Sequence, residues 1–321
     1  MMENILPLGD NINVIGTLLA IIDDDDKDIA VFVGSGVSDL LGIKTWDDIL
    51  KKMKREYDSN EDVSEKVIKE EGHATIAQKI YNEKNDDFYR KFMKRQFLPE
   101  KAFHYSLHIK ILSTFNTILT TNYDASFEDA LKDLNYYMKK CCCSPKKWEI
   151  QKLPSLKMSK MNSKPQLVYL HGNNKAEKYV FLEREYELFY PSYYGKQDSS
   201  RLEDFLKGIF REFTLVFIGF SFNDKVFRDF LIGSLKQIRN ERKRMELVKG
   251  FEDSPEIPKH FAIFRNNYES DENKKRIVET LKDLVNIIEI EQHFQVETLL
   301  QYLMEESALF VVKGDGEVDH A

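Results

Sequence analysis

The chain has few of the features that mark a secreted, membrane-bound or nucleic-acid-binding protein. Its only cysteines, Cys141, Cys142 and Cys143, are contiguous, so they form neither a disulfide framework nor the paired spacing of a structural zinc site. The formal net charge of -7 disfavours a protein whose main task is to bind phosphate backbones directly. No apolar run reaches the roughly 20 residues of a membrane helix, and the first residues lack the pattern of a signal peptide. We therefore expect a cytoplasmic protein that contacts neither membrane nor nucleic acid directly.

What the chain does have is a regular alternation of β-type and α-type segments. Short apolar runs rich in β-branched and aromatic residues alternate with longer segments whose apolar residues recur at helical spacing. This alternation predicts an α/β fold, a Rossmann-like parallel sheet with helices on both faces. The predicted strands are 29–33, 115–119, 166–170, 214–218, 260–264 and 285–290, and the predicted helices include 12–22, 126–134, 295–304 and one beginning at Lys225.

Three segments depart from this alternation. Residues 45–113 are charged, poor in glycine and proline, and apolar at helical spacing, which predicts a small helical lobe inserted beside the sheet. Residues 135–165 carry many lysines with little periodicity, which is typical of a mobile basic insertion. We expect one domain over residues 1–308 that contains both insertions, and a tail over 309–321.

Polar motifs follow three of the predicted strands, each at the point where an apolar run ends. They are Gly34-Ser35-Gly36-Val37-Ser38, Thr120-Thr121-Asn122-Tyr123-Asp124 and Leu170-His171-Gly172, in that order. Because ligands of open α/β sheets bind at the carboxyl ends of the strands, the motifs describe one crevice. A glycine-rich turn that enters a helix is a place where the phosphates of a nucleotide bind. A dehydrogenase is disfavoured, since Asp39 stands where the dinucleotide fingerprint has its third glycine.

In this order and at these spacings, the motifs resemble the sirtuin-like superfamily, in particular the zinc-free branch of bacterial NAD-consuming defence proteins. The resemblance covers most of residues 10–305. It implies that the protein binds NAD as its substrate and hydrolyses it to ADP-ribose and nicotinamide, as an effector of bacterial anti-phage defence. Deacylating sirtuins carry a four-cysteine zinc module after the catalytic histidine, and no cysteine lies between His171 and Gly219. We therefore expect no zinc and no lysine deacylation.

The resemblance points to Asn122 and His171 as the catalytic pair. The bond between nicotinamide and ribose breaks with an oxocarbenium-like ribose, much as in glycoside hydrolysis. Asn122 can use its amide oxygen and its NH₂ group to hold a ribose hydroxyl and an attacking water. His171, with an ordinary pKa near 6.5, can accept a proton from that water or from a ribose hydroxyl. Asp124 is a third candidate, which could orient Asn122, contact the nicotinamide amide, or only cap the helix beginning near Ser126.

The remaining predicted contacts to NAD come from the turns after the strands and from one aromatic residue. They are Gly34, Ser35, Gly36, Ser38, Trp46, Thr121, Asn122, Gly219 and Ser221. The glycines let the backbone turn tightly and approach a diphosphate, and Ser38 can donate to a phosphate oxygen or cap the next helix. Trp46 can cover the nicotinamide or belong to the core. Asp224, at the start of a helix, is favoured as a cap over a catalytic group.

Two other functions fit the same motifs. The site could transfer ADP-ribose to an acceptor other than water, by ADP-ribosylation or cyclisation, or it could be a non-catalytic NAD or ADP-ribose sensor within a larger complex. The sequence contains no P-loop, nuclease motif or second recognisable domain, and an unrestrained NAD hydrolase harms its own cell. The resemblance therefore implies a homo-oligomer that assembles with a separate sensor chain, such as a ring-forming DNA-translocating ATPase of the HerA type.

Overall fold

A computed structural model of the chain describes residues 11–24, 27–39, 41–57, 67–68, 71–84, 86–97, 105–141, 144, 146–161, 165–246, 259–265 and 272–314. Its strands are β1 (Ile29–Val33), β2 (Thr117–Thr120), β3 (Glu149–Lys152), β4 (Gln166–Tyr169), β5 (Gly172–Asn173), β6 (Lys178–Tyr179), β7 (Thr214–Ile218), β8 (His260–Arg265) and β9 (Val285–Ile290). Its helices are α1 (Ile12–Ile22), α2 (Ser35–Asp39), α3 (Trp46–Tyr57), α4 (His73–Glu83), α5 (Asp86–Gln96), α6 (Ser106–Thr114), α7 (Ser126–Lys140), α8 (Glu183–Phe189), α9 (Arg201–Glu212), α10 (Lys225–Glu246), α11 (Glu272–Lys282) and α12 (Phe294–Gly314). None of the helices in these ranges combines the length and the apolar character needed to cross a membrane.

A seven-stranded sheet organises the molecule, with the strand order β3-β4-β2-β1-β7-β8-β9. Every neighbouring pair in it is parallel. After β1 the chain adds β2, β4 and β3 on one side, and it then crosses to the other side of β1 to add β7, β8 and β9. The strand order therefore reverses between β1 and β7, where an open sheet forms a crevice at its carboxyl edge. This topology confirms the predicted Rossmann-like α/β fold.

The central strands are covered on both faces, which explains their continuous apolar runs. Side chains alternate along a strand, and in β1 they belong to two different clusters. Ala30 and Phe32 pack into a core with α8, α9, α10 and α11. Val31 and Val33 pack into a second core with α1, α6, α7 and α12. The sheet is thus the middle layer of three.

The segment predicted as a helical lobe, residues 45–113, consists mainly of helices in its described parts, namely α3, α4, α5 and α6. Helices α3, α4 and α5 share a third core that includes Ile49, Ile80 and Phe92. Tyr123 and Phe181, which come from loops after the sheet strands, complete this core and so attach the lobe beside the crevice. Helix α6 instead packs against α7 and α12. The domain limits expected from the sequence remain predictions.

The structure differs from the sequence prediction within residues 135–165. Helix α7 continues to Lys140, and β3 pairs in parallel with β4 at the edge of the sheet. A helix end and a sheet strand therefore lie within the segment expected to be a mobile basic insertion, and its limits remain a prediction. Strand β3 has the sequence Glu-Ile-Gln-Lys, in which only Gln151 is buried, so it has no apolar run by which to find it. Helix α12 likewise continues to Gly314, into the segment expected to be a tail.

Two backbone loops cross at the reversal of strand order. The N–H of Gly34 donates to the carbonyl of Ile218 (3.0 Å), and the N–H of Gly36 donates to the carbonyl of Gly219 (2.9 Å). A Cβ atom on Gly34 would lie 2.5 Å from the Gly219 oxygen, and Gly219 itself has a φ of +63°. Only glycine accommodates such an approach and such a φ at little cost. The contact between the loops therefore requires these glycines irrespective of any ligand.

We expect Gly34→Ala to destabilise the protein by about 2 kcal/mol, because the added methyl group forces the two loops apart. The measurement is urea unfolding at equilibrium. Gly233→Ala is the matched control, since a Cβ there meets no atom within 4 Å and alanine is the better helix former. Equal stability of Gly34→Ala and wild type would contradict this account of the loop contact.

Candidate active site

A cavity of about 420 Å³ lies at the carboxyl edge of the sheet, within the size range of small-molecule sites. Its walls include all eleven of the residues that the sequence predicts for the site. These are Gly34, Ser35, Gly36, Ser38, Trp46, Thr121, Asn122, Asp124, His171, Gly219 and Ser221. The structure thus brings the predicted residues together, while the role of each in binding or catalysis stays a prediction.

Asn122 follows β2 and is held by the glycine loop. Its Nδ2 donates to the carbonyl of Gly34 (3.1 Å) and to Oγ of Ser38 (3.0 Å). A backbone carbonyl can only accept, so the NH₂ group must face the loop. The sequence suggested that both ends of the amide contact substrate, whereas the structure leaves only Oδ1 available to a ligand. It also gives Ser38 a structural partner.

Asp124 accepts a hydrogen bond at the start of α7, from a position one residue before the N-cap residue, Ala125. Its Oδ1 accepts from the backbone N–H of Ser126 (3.0 Å) at the first residue of α7, and the residue is buried. None of the hydrogen bonds of the described residues joins Asp124 to Asn122. Of the roles left open by the sequence, the structure shows a contact only for the one at the helix start, although Asp124 also lines the cavity.

His171 follows β4 and is almost completely buried, at 1% exposure. Its Nε2 lies 2.7 Å from the hydroxyl oxygen of Tyr190, which leaves Nδ1 as the ring nitrogen for a ligand. Burial lowers the pKa of His171 to about 4, and the negative charge of Asp224 offsets this only in part. The expectation of an ordinary pKa is therefore wrong, and the imidazole is neutral at neutral pH.

Asp224 caps α10, as the sequence favoured. Its Oδ1 accepts from the N–H of Phe227 (3.0 Å), and its Oδ2 accepts from the hydroxyl of Tyr186 (2.6 Å). Burial, together with the charge of Asp224, raises the pKa of Tyr186 well above its ordinary value. Asp224 therefore holds the Tyr186 ring beside His171, with 5.6 Å between the two ring centroids.

The glycine loop offers a ligand less than its sequence suggested. The N–H of Gly36 already donates to Gly219, so it is not available to a phosphate oxygen in this structure. Ser221, on the loop after β7, accepts from the backbone N–H of Asn223 (3.4 Å). The crossing therefore offers a closely approachable backbone, but not the Gly36 N–H, to the cavity.

Trp46 belongs both to the helical lobe and to the cavity wall. Its ring packs on Phe181 (4.7 Å between centroids) and stacks with Tyr123 (6.4 Å), and it also lines the cavity. The two alternatives left open by the sequence, core residue and cavity cover, are thus combined in one position.

The cavity wall also contains a hydrogen-bonded pair of side chains that the sequence did not indicate. His73, the first residue of α4, has its Nε2 2.5 Å from Oδ1 of Asp47, in the first turn of α3. The His73 ring meets the Trp46 ring edge-on at 5.1 Å. No motif joins two residues so distant along the chain, so only the packing of the lobe reveals the pair.

The cavity wall beyond β7 contains further residues that the sequence did not indicate. Phe264 and Arg265 at the end of β8, Lys274 on α11, and His293 just before α12 line the cavity there. The one available signal was their position after predicted strands. Within the described ranges, no three His, Cys, Asp or Glu side chains are arranged to hold a metal ion, and the absence of zinc stays a prediction.

Comparison with known proteins assigns the chain to a family. The model of the SIR2-like domain family matches residues 116–279, which is just over half of the chain, and the chain belongs to this family. The sirtuin-like resemblance is therefore confirmed. It is similar to the NAD(+) hydrolase ThsA of Cytobacillus dafuensis, with 25% identity over 232 residues, covering 70% of this chain and 41% of the relative. It is also similar to the NAD(+) hydrolase ThsA of Bacillus cereus (strain MSX-D12), with 24% identity over 247 residues, covering 72% and 45%. The chain spans less than half the length of these relatives.

We expect the stability of the protein to fall as the pH drops from 6.5 toward 5. Burial lowers the pKa of His108, His171 and His260 to about 4 in each case, while these groups have ordinary pKa values in the unfolded chain. The unfolded state therefore binds more protons in this range, and each histidine contributes up to about 1.4 kcal/mol per pH unit.

Urea unfolding at pH 7 and pH 5 measures this loss. In His171→Gln, the difference in unfolding free energy between pH 7 and pH 5 should be smaller by the contribution of one histidine. The same unfolding free energy at both pH values in the wild type would contradict the assignment of buried, neutral imidazoles.

Proposed function

We propose that the protein hydrolyses NAD to ADP-ribose and nicotinamide in the cavity at the carboxyl edge of the sheet. The observation that carries the proposal is the placement of Asn122 and His171, both almost buried, beside the loop crossing at Gly34 and Gly219. Membership of the SIR2-like family and similarity to proteins named NAD(+) hydrolases support the same reaction.

Charge along the cavity suits NAD in one orientation. Lys44 lines the wall close to Trp46, but aspartates outnumber it in this region: Asp39, Asp47, Asp124 and Asp224 line the walls near Trp46, Asn122 and His171. Their carboxyl groups favour the cationic nicotinamide ring and the positive charge that develops on the ribose. Arg265 and Lys274 line the wall beyond β7, where cationic side chains suit phosphate groups. We therefore place the nicotinamide riboside beside Asn122 and the rest of the dinucleotide along β7 and β8.

The reaction asks little of the leaving group, because nicotinamide departs as a neutral molecule when its bond to C1′ breaks. What remains is to position a water and the ribose. Asn122 Oδ1 accepts a hydrogen bond from one of them, and its NH₂ group is already fixed by Gly34 and Ser38. The amide is therefore preorganised before substrate binds.

We expect Asn122→Ala and His171→Ala each to reduce nicotinamide release by about 10²-fold or more, which is typical of a lost positioning or proton-transfer group. The measurement is chromatography of the products formed from NAD, which also separates ADP-ribose from cyclic or transferred products. Asn116→Ala is the control, because Asn116 is exposed and precedes β2, at the opposite end of that strand from Asn122. Wild-type turnover in a folded double variant would rule out the assignment.

We further propose that the chain acts in anti-phage defence as a homo-oligomer with a separate sensor chain, such as a ring-forming ATPase of the HerA type. Since uncontrolled loss of NAD harms the host cell, turnover should depend on this assembly. The expected result is low turnover by the isolated chain and higher turnover when the products of neighbouring genes are added, with a matching increase in mass in solution. A fully active monomer that no partner or infected-cell extract changes would contradict the proposal.

A further inference from the structure

The hydroxyl of Tyr190 is the hydrogen-bond partner of the buried end of His171. The two atoms, Tyr190 Oη and His171 Nε2, lie 2.7 Å apart, and the residues are 0% and 1% exposed. Among the described residues, the Tyr190 hydroxyl has no second hydrogen bond. One proton lies between the two atoms, and it belongs either to the tyrosine or to the imidazole.

These two arrangements differ in what they leave unsatisfied. If Nε2 carries the proton and donates, the hydroxyl hydrogen of Tyr190 has no acceptor, and a buried donor without a partner costs roughly 1–3 kcal/mol. If Tyr190 donates to Nε2, both groups are satisfied. Burial raises the pKa of Tyr190 well above its ordinary value, so the phenol keeps its proton. The neutral imidazole then carries its single proton on Nδ1.

Neighbouring rings hold this arrangement in place. Tyr186 stacks on Tyr190 at 5.8 Å between centroids, and its own hydroxyl donates to Asp224. Phe230 meets the Tyr190 ring edge-on at 5.5 Å. Neither the Tyr190 ring nor the His171 ring can therefore turn away without disturbing the core.

We infer that Tyr190 is a positioning residue that fixes His171 as the Nδ1–H tautomer, so that the imidazole presents a hydrogen-bond donor, and not a base, to the cavity. This reverses the role of proton acceptor that the sequence suggested. The cavity then offers a substrate one acceptor, Asn122 Oδ1, and one donor, His171 Nδ1–H. The catalytic part of this inference rests on the proposed function.

In that reaction the donor holds a ribose hydroxyl through its oxygen. The C1′–N bond breaks and nicotinamide leaves with the electron pair, while water forms the new bond to C1′. The oxygen that has attacked then releases its extra proton to bulk water. No proton needs to pass through His171 in this sequence of steps.

The tautomer can be measured without any turnover. In protein labelled with ¹⁵N-histidine, long-range ¹⁵N–¹H correlation spectra at pH 7 distinguish the two nitrogens of each ring, and the signals missing from His171→Gln identify His171. We expect a protonated Nδ1 and an unprotonated Nε2. A ring protonated on Nε2, alone or together with Nδ1, would overturn the inference. Because the spectra need no NAD, this result is independent of the proposed function.

The role of Tyr190 is tested by removing its hydroxyl. In Tyr190→Phe we expect His171 to lose its single tautomer and to show a mixture. Tyr193→Phe is the matched control, because Tyr193 lies close to Tyr190 along the chain but its ring contacts Tyr194. This substitution should leave the spectrum of His171 unchanged. A single Nδ1–H tautomer that persists in Tyr190→Phe would show that another group fixes the ring.

Activity measurements on His171 variants distinguish a hydrogen-bond donor from a base at this position. An asparagine amide can donate a hydrogen bond where Nδ1–H does, but it cannot take up a proton at neutral pH. We therefore expect His171→Asn to release nicotinamide about 10-fold faster than His171→Ala. Equal loss in the two variants would overturn the donor role even if the tautomer is as stated. If the wild type releases no nicotinamide, the proposed function fails, and the tautomer measurement stands by itself.

Discussion

The crossing of the loops after β1 and β7 is the contact on which the rest of the site depends. Gly34 and Gly219 touch backbone to backbone, and the carbonyl of Gly34 also accepts the amide of Asn122. A side chain at either glycine would separate the loops and remove the partner that orients Asn122. In the sequence these glycines resemble a phosphate-binding turn, but in the structure they allow the two loops to pack against each other. Any close approach of the backbone to a diphosphate would follow from that packing.

Around this crossing, the site combines two buried polar side chains, Asn122 and His171, with an apolar environment. His171 is enclosed by aromatic rings, among them Tyr186, Tyr190 and Phe227. Burial among them keeps the imidazole neutral and makes each hydrogen bond to it more consequential than it would be in water. A single hydroxyl can therefore decide on which nitrogen the proton sits. Charged groups also line the walls, with aspartates and Lys44 near Trp46 and Asn122, and with Arg265 and Lys274 beyond β7.

The helical lobe contributes a wall of the cavity that a bare sheet would lack. Trp46 connects the lobe to the sheet, since its ring packs on Phe181 and Tyr123 and also faces the cavity. The pair formed by Asp47 and His73 joins the starts of α3 and α4 next to that ring. Changes in how the lobe packs would therefore alter the width of the cavity beside Asn122.

By itself, the sequence determined the fold class and the position of the crevice. Buried parallel strands need continuous apolar runs, and the turns after them need glycine and short polar residues, so these signals come from neighbours along the chain. The tertiary structure alone decided that β3 joins the sheet despite its polar sequence, because it lies at an edge and buries only Gln151. It likewise decided which end of the Asn122 amide is free, which nitrogen of His171 faces the cavity, and that Asp47 meets His73. Each of these depends on burial and on partners from distant parts of the chain, which no local pattern records.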